Sequence, residues 1–381
     1  MRLYPGALLR QAREKRQWSQ EGLCSGICAV SYLSKIEQGK AEASPEILRL
    51  LFARLELAWY DDETTLLQAR ALTERFYEAL FSYDSATLSA CEAELSAQEE
   101  RLTHSVYAPD AALMQAFVQK DASPAEAFEP YYDNRRLALL RLLQNRGEDA
   151  MRLYPCAYLS LMAGIGAYER GESYTAAVEL LRSSYEQAAT RGEARLMLLA
   201  QLYLGNCYCN QLNIEQMHAH YRIAARLARA LGNKNAIADM QYNTASTQLE
   251  TGNYDEAYRY FSALEGPSMM SLHKLAVCCE KLGRTEEAFA ALDRAEKMTS
   301  DYPPTVLAQR MCALVRFRLE HPDYLRRGEY GEALLALFAD CRKRLPIGYA
   351  SFHLPWVLEW YTATRQYRLA YELSRDFPIK L

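Results

Sequence analysis

Cysteine and histidine supply the first residues in this 381-residue chain whose spacing suggests chemistry. Cys24 and Cys28 lie four residues apart, and the Cys-Tyr-Cys triplet that ends at Cys209 is followed shortly afterwards by a His-Ala-His triplet. Thiolates and imidazoles are zinc ligands, but neither cluster contains a CxxC pair, and residues two apart on a helix point to different sides. We therefore interpret both clusters as core thiols and expect no metal and no cofactor.

The motifs of common enzyme classes are missing from the sequence. It contains no GxxxxGK[ST] phosphate loop, no HExxH and no GxSxG. Gly164-Ile-Gly166 lies in a helical pattern and does not follow a strand, so it is a weak match to a nucleotide-binding loop. A peptide-controlled phosphatase built from repeats is the enzyme alternative, but it would not need the N-terminal segment described below. We expect a protein that is not an enzyme.

Composition indicates a globular protein with a large core. Half of the residues are hydrophobic and the mean hydropathy is −0.28. No apolar run approaches the roughly 18 residues that a membrane span needs, and the N-terminus has a charged helical pattern without a signal-peptide core. These features predict a cytoplasmic protein without membrane association, in which the ten cysteines are reduced.

Charge differs between the first 60 residues and the rest. Residues 1–60 hold nine Lys or Arg and six Asp or Glu, whereas residues 61–381 hold 35 and 42. Residues 1–60, called the head below, are therefore basic, and residues 61–381 are acidic. This distribution favours a nucleic-acid contact that is confined to the N-terminal segment.

The sequence of the head predicts a series of short helices. Ser19 is a good N-cap for one helix, and a second runs from about Cys28 to Gln38, where Gly39 ends it. Ser44 and Pro45 then start an amphipathic helix. Two short helices joined by a tight turn are typical of a helix-turn-helix, whose second helix enters the DNA major groove. With Leu33 and Ile36 toward the core, the residues left for the groove side are Ala29, Val30, Ser31, Tyr32, Ser34 and Lys35. The alternative is a small helical bundle that binds nothing.

From residue 61 onward the sequence consists of helices and short turns, with internal repeats. Three segments share one skeleton: a first helix with a small residue at Gly205, Ala245 or Ala276, a turn, and a second helix with a bulky residue at Tyr221, Phe261 or Leu292. This pattern is similar to the tetratricopeptide repeat, whose unit is about 34 residues. Stacked helix pairs of this kind form a superhelix with a concave channel. The clearest copies fall within residues 157–300.

The head resembles a known family through LLRQAREKRQWSQEGLCSG, SYLSKIEQGK and SPEILRLL. These segments are similar to the Xre-type helix-turn-helix, and the shortened interval between Ser19 and Ile36 is closer to the Rgg and PlcR-like (RNPP) regulators. The resemblance implies that Gln20 and the start of the second helix contact operator DNA. It also implies that Lys35 and a further set of basic residues lie near phosphates, namely Arg13, Arg16 and Lys40.

The same resemblance implies a ligand for the repeats. Regulators of this kind bind short signalling peptides in quorum sensing, often through asparagines, and act as homodimers. Asn206 and Asn210 lie one turn apart on one helix, and an amide offers both a donor and an acceptor to a peptide backbone. The alternative is that these asparagines only bridge helices. The positions expected on the concave wall are Tyr168, Leu202, Asn206, Asn210, Tyr242, Ser246, Glu250 and His273.

We therefore predict an all-α protein, with a five-helix helix-turn-helix domain (residues 1–60) followed by a right-handed tetratricopeptide-like α-superhelix (residues 61–381). The predicted function is sequence-specific DNA binding as a homodimer, with transcription controlled by a ligand of the repeats, a short peptide. In the alternative function, the repeats serve only dimerisation or bind a protein partner.

Overall fold

A computed structural model describes residues 4–171, 174–298, 303–345 and 347–377. Every regular element within these ranges is a helix, as the sequence predicts. None of the described helices is long and apolar enough to cross a membrane. Internal contacts divide the chain into two compact units, Met1–Ala163 and Gly164–Leu381.

The first unit contains eleven described helices and the start of a twelfth. They are α1 (Tyr4–Lys15), α2 (Gln20–Cys24), α3 (Val30–Glu37), α4 (Pro45–Arg54), α5 (Glu63–Phe81), α6 (Ser85–Ala97), α7 (Glu99–Thr103), α8 (Ala108–Gln119), α9 (Ser123–Glu126), α10 (Asn134–Leu143), α11 (Gly147–Leu153) and α12 (Ala157–Arg170). Residues 4–54 form four of the five helices expected in the head. The fifth, α5, begins at Glu63 and packs against α6 and α8.

The head has its own apolar core. Leu9, Leu23, Leu33, Leu51 and Phe52 are each fully buried and bring α1, α2, α3 and α4 together. The caps follow the sequence prediction, because the Ser19 Oγ accepts a hydrogen bond from the Gly22 amide and the Ser44 Oγ accepts one from the Ile47 amide. Burial of these large aliphatic and aromatic side chains stabilises the head by roughly 1.5–3 kcal/mol for each side chain.

A buried polar cluster stabilises the remainder of the first unit. Asp110, 2 % exposed, accepts hydrogen bonds from the Tyr77 hydroxyl at 2.8 Å and from Arg136 Nε at 2.6 Å. These contacts connect α8 to α5 and α10. Each partner satisfies a group that would otherwise be costly to bury.

The second unit is an array of helices in which neighbours along the chain pack together. After α12 come α13 (Tyr174–Arg191), α14 (Ala194–Asn210), α15 (Ile214–Ala230), α16 (Lys234–Glu250), α17 (Tyr254–Ser262), α18 (Met269–Lys281), α19 (Thr285–Glu296), α20 (Pro303–Glu320), α21 (Gly328–Arg344), α22 (Ile347–Ala363) and α23 (Tyr367–Asp376). This order confirms the predicted array of helix pairs.

The small and bulky residues of the repeat skeleton meet as the sequence predicts. A β-carbon added at Gly205 would lie 2.2 Å from Cε1 of Tyr221, so glycine is required where α14 and α15 approach. Ala245, Ala276, Phe261 and Leu292 are all at most 2 % exposed. Close approach at the small residue allows the bulky residue of the following helix to fill the interface.

Candidate functional site

The outer side of α3 carries the residues predicted to face DNA. Ala29, Val30, Ser31 and Lys35 are exposed, and Val30 retains 42 % of its accessible surface. Leu33 and Ile36, on the opposite side of the helix, are buried in the head core. The helix therefore presents two small residues, an isopropyl group and an ammonium to solvent, a set that can contact thymine methyls and phosphates.

Tyr32 and Ser34 are partly buried and already have hydrogen-bond partners within the head. The Tyr32 hydroxyl donates to the backbone carbonyl of Glu42 at 2.9 Å. The Ser34 Oγ accepts from the side-chain Nε2 of Gln38 at 3.0 Å. These bonds connect α3 to the residues that follow it. They also occupy polar atoms of Tyr32 and Ser34 that could otherwise bind a ligand.

Arg13 and Gln20 converge on Glu37 at the end of α3. Arg13 Nε donates to Glu37 Oε1 at 2.7 Å and Arg13 Nη2 donates to Oε2 at 2.9 Å, while Gln20 Nε2 donates to Oε2 at 2.7 Å. Arg13 is 9 % exposed and Glu37 is 6 % exposed. The hydrogen bond with Glu37 raises the pKa of Arg13. This charge-assisted cluster holds α1, α2 and α3 in register.

The remaining basic residues predicted near phosphates lie at the edge of this surface. Arg16 is partly exposed just beyond α1, and Lys40 is exposed just beyond α3. Arg54 anchors the turn of the motif, because its Nη1 donates to the Leu23 carbonyl at 3.1 Å. The side chains of Lys35 and Lys40 are thus accessible to solvent, and that of Arg16 is partly accessible. Arg13, in contrast, is buried and binds Glu37.

A cavity of about 200 Å³ lies in the second unit. Five of the eight residues expected on the concave wall line it: Tyr168, Asn210, Tyr242, Ser246 and Glu250. Eight further residues also line it, namely Cys209, Asn243, Met270, Lys274, Gly348, Tyr349, Phe352 and His353. The cavity combines aromatic walls with amide, hydroxyl and charged groups, which is the usual make-up of a ligand site.

Asn210 is held at the cavity wall by two tyrosines. Its Nδ2 donates to the Tyr174 hydroxyl at 2.9 Å and to the Tyr168 hydroxyl at 3.3 Å. A β-carbon at Gly348 would lie 3.0 Å from Asn210 Oδ1, so α22 approaches this amide closely. Burial raises the pKa of Tyr174 to about 12. Burial also raises the pKa of Tyr168, so both hydroxyls are protonated at neutral pH.

Three predicted wall residues lie outside the cavity lining. Asn206 Oδ1 accepts from the Tyr221 hydroxyl at 2.7 Å and from Asn243 Nδ2 at 3.0 Å, so this amide bridges α14, α15 and α16. Leu202 belongs to the buried core of the same helices. His273 is fully buried on α18 behind the lining, with its ring 5.6 Å from that of Phe352. The contacts of these three residues depend on helix packing, which the spacing of positions within a repeat does not predict.

On α18 the repeat spacing predicts His273 as the wall residue, whereas the residue that lines the cavity is its neighbour Lys274. All but one of the residues from Met269 to Cys279 are buried, so burial does not distinguish one side of this part of α18 as the concave wall. Phe352 and His353 come from α22, whose Tyr349, Phe352 and His353 have the spacing of one helix face. This aromatic stripe is the sequence signal that could have identified α22 as a wall.

The charged groups of the cavity are Lys274 and Glu250. Lys274 Nζ lies 3.7 Å from the centre of the Phe352 ring and 3.8 Å from Glu250 Oε1. Burial lowers the pKa of Lys274 and raises the pKa of Glu250. In each case the opposite charge of the partner shifts the pKa back toward its usual value, but by less. The ring face and the carboxylate together compensate the buried ammonium.

Two buried histidines adjoin this pair. The rings of His273 and His353 are 5.8 Å apart, and both residues have no exposed surface. Burial lowers the pKa of His353 to about 4 and lowers the pKa of His273 well below its usual value. Both rings are therefore neutral at pH 7.

The ten cysteines are free thiols, eight of them buried. Burial raises the pKa of Cys28, and Cys24 lies in the head core. Within the ranges that the structure describes, no group of three or more His, Cys, Asp or Glu residues has a metal-binding arrangement.

Comparisons with known proteins agree with the two-part architecture. Residues 9–58 match the family model for the helix-turn-helix. Among solved structures, the chain is similar to the crystal structure of NprR in complex with its cognate peptide NprX. The TM-score is 0.55 and the sequence identity is 16 %, and the match covers 81 % of this chain and 99 % of that chain. At this identity the likeness shows a shared fold. Among curated proteins, none matches this sequence.

Proposed function

We propose that the protein is a sequence-specific DNA-binding transcription regulator whose C-terminal repeats sense a short peptide. Residues 1–60 serve as the DNA-binding domain and residues 61–381 as the repeat domain. The observation that supports this function most is the pairing of an exposed α3 face within a matched helix-turn-helix with a polar and aromatic cavity in the repeat array. The protein acts in the cytoplasm and performs no catalysis.

The DNA contact rests on the outer side of α3. Ala29, Val30, Ser31 and the reachable parts of Tyr32 and Ser34 face the major groove, and Lys35, Arg16 and Lys40 approach phosphates. Gln20 is held by Glu37 near the start of α2, where the exposed remainder of its amide faces the DNA backbone. Arg13 contributes indirectly, because it fixes Glu37 and hence the angle between the helices.

The ligand contact rests on the cavity. A peptide backbone needs donors and acceptors in alternation. The Nδ2 atoms of Asn210 and Asn243 already donate within the protein, so their Oδ1 atoms serve as acceptors, and the Ser246 hydroxyl serves as a donor or an acceptor. NprR, which shares the fold, is crystallised with its cognate peptide. A cavity of about 200 Å³ accommodates one side chain, so the rest of a peptide lies along the concave surface outside it. This cavity is also what favours a sensor over a repeat array that serves dimerisation alone.

Homodimerisation provides the link between ligand and DNA. A dimer places two heads on two half-sites, and half-site spacing is set by the distance between the heads. The peptide controls transcription if it binds one spacing of the heads more tightly than another. Such coupling is reciprocal, so DNA changes peptide affinity by the same factor.

Salt-dependent DNA binding tests the DNA part of this function. We expect the full chain to bind DNA from upstream of its own gene, with an affinity that falls as salt rises. Lys35→Met removes one phosphate contact and is expected to reduce the slope of log affinity against log salt by about 1.

The control for this experiment is Lys297→Met, which removes an exposed lysine of the second unit. It should leave the salt slope unchanged. A full chain whose binding shows no salt dependence, or no preference for the upstream DNA over unrelated DNA, refutes the regulator function.

A further inference from the structure

Four of the thirteen residues that line the cavity of the second unit are tyrosine or phenylalanine. Tyr168, Tyr242, Tyr349 and Phe352 line it, and Met270 adds a polarisable thioether. Rings of this kind favour an aromatic group, which packs edge to face against them and makes sulfur contacts. With a volume of about 200 Å³, the cavity holds a group of the size of one large side chain.

The charge already present in the cavity excludes a charged ligand group. Lys274 and Glu250 carry opposite charges 3.8 Å apart, and Lys274 is 6 % exposed, so the pair is close to neutral as a whole. A carboxylate added beside them would leave one negative charge uncompensated, and an ammonium would leave one positive charge. Either costs several kcal/mol in a buried site. The group that fits is uncharged.

The hydrogen-bonding capacity of the cavity calls for a group that both donates and accepts. His353 Nδ1 lies 2.8 Å from the Tyr349 carbonyl oxygen, and a carbonyl only accepts, so Nδ1 carries the proton. His353 Nε2 is then an acceptor, and it is buried without a hydrogen-bond partner among the described residues. Lys274 Nζ has only donors, and its nearest carboxylate oxygen is 3.8 Å away, beyond the ~2.7–2.9 Å of a charge-assisted hydrogen bond.

We propose that this cavity binds a 4-hydroxyphenyl group, the side chain of a tyrosine in the peptide ligand. The ring packs against the aromatic wall, and the hydroxyl accepts from Lys274 Nζ and donates to His353 Nε2. This assignment rests on the proposed sensing function, since it names the part of the ligand that enters the cavity.

Binding of three small probes to the unaltered full chain tests the assignment. They are N-acetyl-tyrosinamide, N-acetyl-phenylalaninamide and N-acetyl-4-carboxyphenylalaninamide, each titrated by NMR or calorimetry at pH 7. We expect the tyrosine probe to bind at least about tenfold more tightly than either of the others, because only it satisfies both buried groups without adding charge. Equal or tighter binding of the phenylalanine or carboxylate probe overturns the assignment.

A double variant and a matched control locate the binding. Lys274→Met with Glu250→Gln removes the charge pair together, and it should abolish the preference for tyrosine over phenylalanine. Lys281→Met, on an exposed position of the same helix, should keep that preference. A preference that survives the double variant contradicts the assignment. If the double variant does not fold, the probe series on the unaltered chain still decides.

A fourth probe distinguishes a peptide from a small phenol. Tighter binding of N-acetyl-Ala-Tyr-Ala-amide than of N-acetyl-tyrosinamide supports a peptide tyrosine, whereas equal binding overturns the peptide as its source. The outcome is separable from that of the proposed function. Salt-dependent DNA binding with no tyrosine preference refutes this assignment alone, and tyrosine preference without DNA binding refutes the regulator alone.

Discussion

His353 connects the stability of the second unit to pH. Its side chain has no exposed surface, and burial lowers its pKa from 6.5 to about 4. Below pH 6.5 the unfolded chain binds a proton that the folded chain does not, so the free energy of unfolding falls as pH falls toward 4. Between pH 7 and pH 5 we expect a loss of about 2 kcal/mol from this residue.

Urea denaturation of the protein and of His353→Gln at the two pH values measures this effect. The substitution keeps an amide that donates to the Tyr349 carbonyl but removes the titrating group. It should therefore reduce the loss of stability between pH 7 and pH 5 by about 2 kcal/mol. An identical pH dependence in the two proteins would show that His353 is not the group responsible.

The two asparagines of α14 are expected to respond differently to substitution. Asn206→Ala removes the acceptor of the buried Tyr221 hydroxyl and should cost about 1–2 kcal/mol of stability. Asn210→Ala removes the Oδ1 acceptor at the cavity wall and should abolish the response to peptide, at a cost of about 1 kcal/mol because the Tyr168 and Tyr174 hydroxyls lose the hydrogen bonds that Nδ2 donates. Thermal unfolding and peptide titration of both variants check this. The reverse pattern would make Asn206 the ligand contact.

This contrast shows what residue spacing can and cannot predict. Tyr168, Asn210, Tyr242, Ser246 and Glu250 follow from counting positions along a repeat, because each first helix has one buried side. The same count fails for α18, where all but one of the residues from Met269 to Cys279 are buried, and for Asn206, whose partners lie 15 and 37 residues away. Long-range contacts decide which of two similar polar residues is free for a ligand.

At the scale of elements, Gly205 sets the spacing of α14 and α15. A β-carbon here would overlap the Tyr221 ring, so Gly205→Ala must displace a buried aromatic side chain. We expect a net loss of about 1–2 kcal/mol, since overpacking exceeds the gain in helix propensity. Gly166→Ala in α12 is the matched control. Its β-carbon would meet only Arg170 Nη1 at 3.5 Å, so it should stabilise by up to ~1 kcal/mol.

Chemical denaturation of both glycine variants gives the sign of each change directly. Two stabilising substitutions would mean that α14 and α15 separate at no cost. Two destabilising ones would mean that helix propensity does not decide the effect of substitution at Gly166.

The head shows the same limit of sequence-based prediction at the level of elements. Caps and apolar spacing predict α2, α3 and α4, because these signals lie within a few residues of each helix end. They do not reveal that Arg13 and Gln20 both bind Glu37, which lies 24 and 17 residues away. Without that contact, both side chains look available for DNA. The predicted contacts of Lys35, Arg16 and Lys40 remain predictions.

At the scale of the whole molecule, the proposed regulation requires communication between the ligand and the DNA. A head that binds DNA and a cavity that binds a peptide would be two unrelated sites unless one changes the affinity of the other. Typical coupling of about 1–3 kcal/mol corresponds to a change of roughly 5–150-fold in DNA affinity. A peptide encoded by a small reading frame next to the gene is the ligand to use.

The most direct measurement is a titration of the full chain onto its upstream DNA, with and without this peptide at saturating concentration and at fixed salt. We expect the peptide to change the DNA affinity at least about fivefold, and we expect Asn210→Ala to abolish this change while it retains the DNA affinity measured without peptide. DNA binding that is identical with and without a peptide shown to occupy the cavity would contradict the proposed regulation.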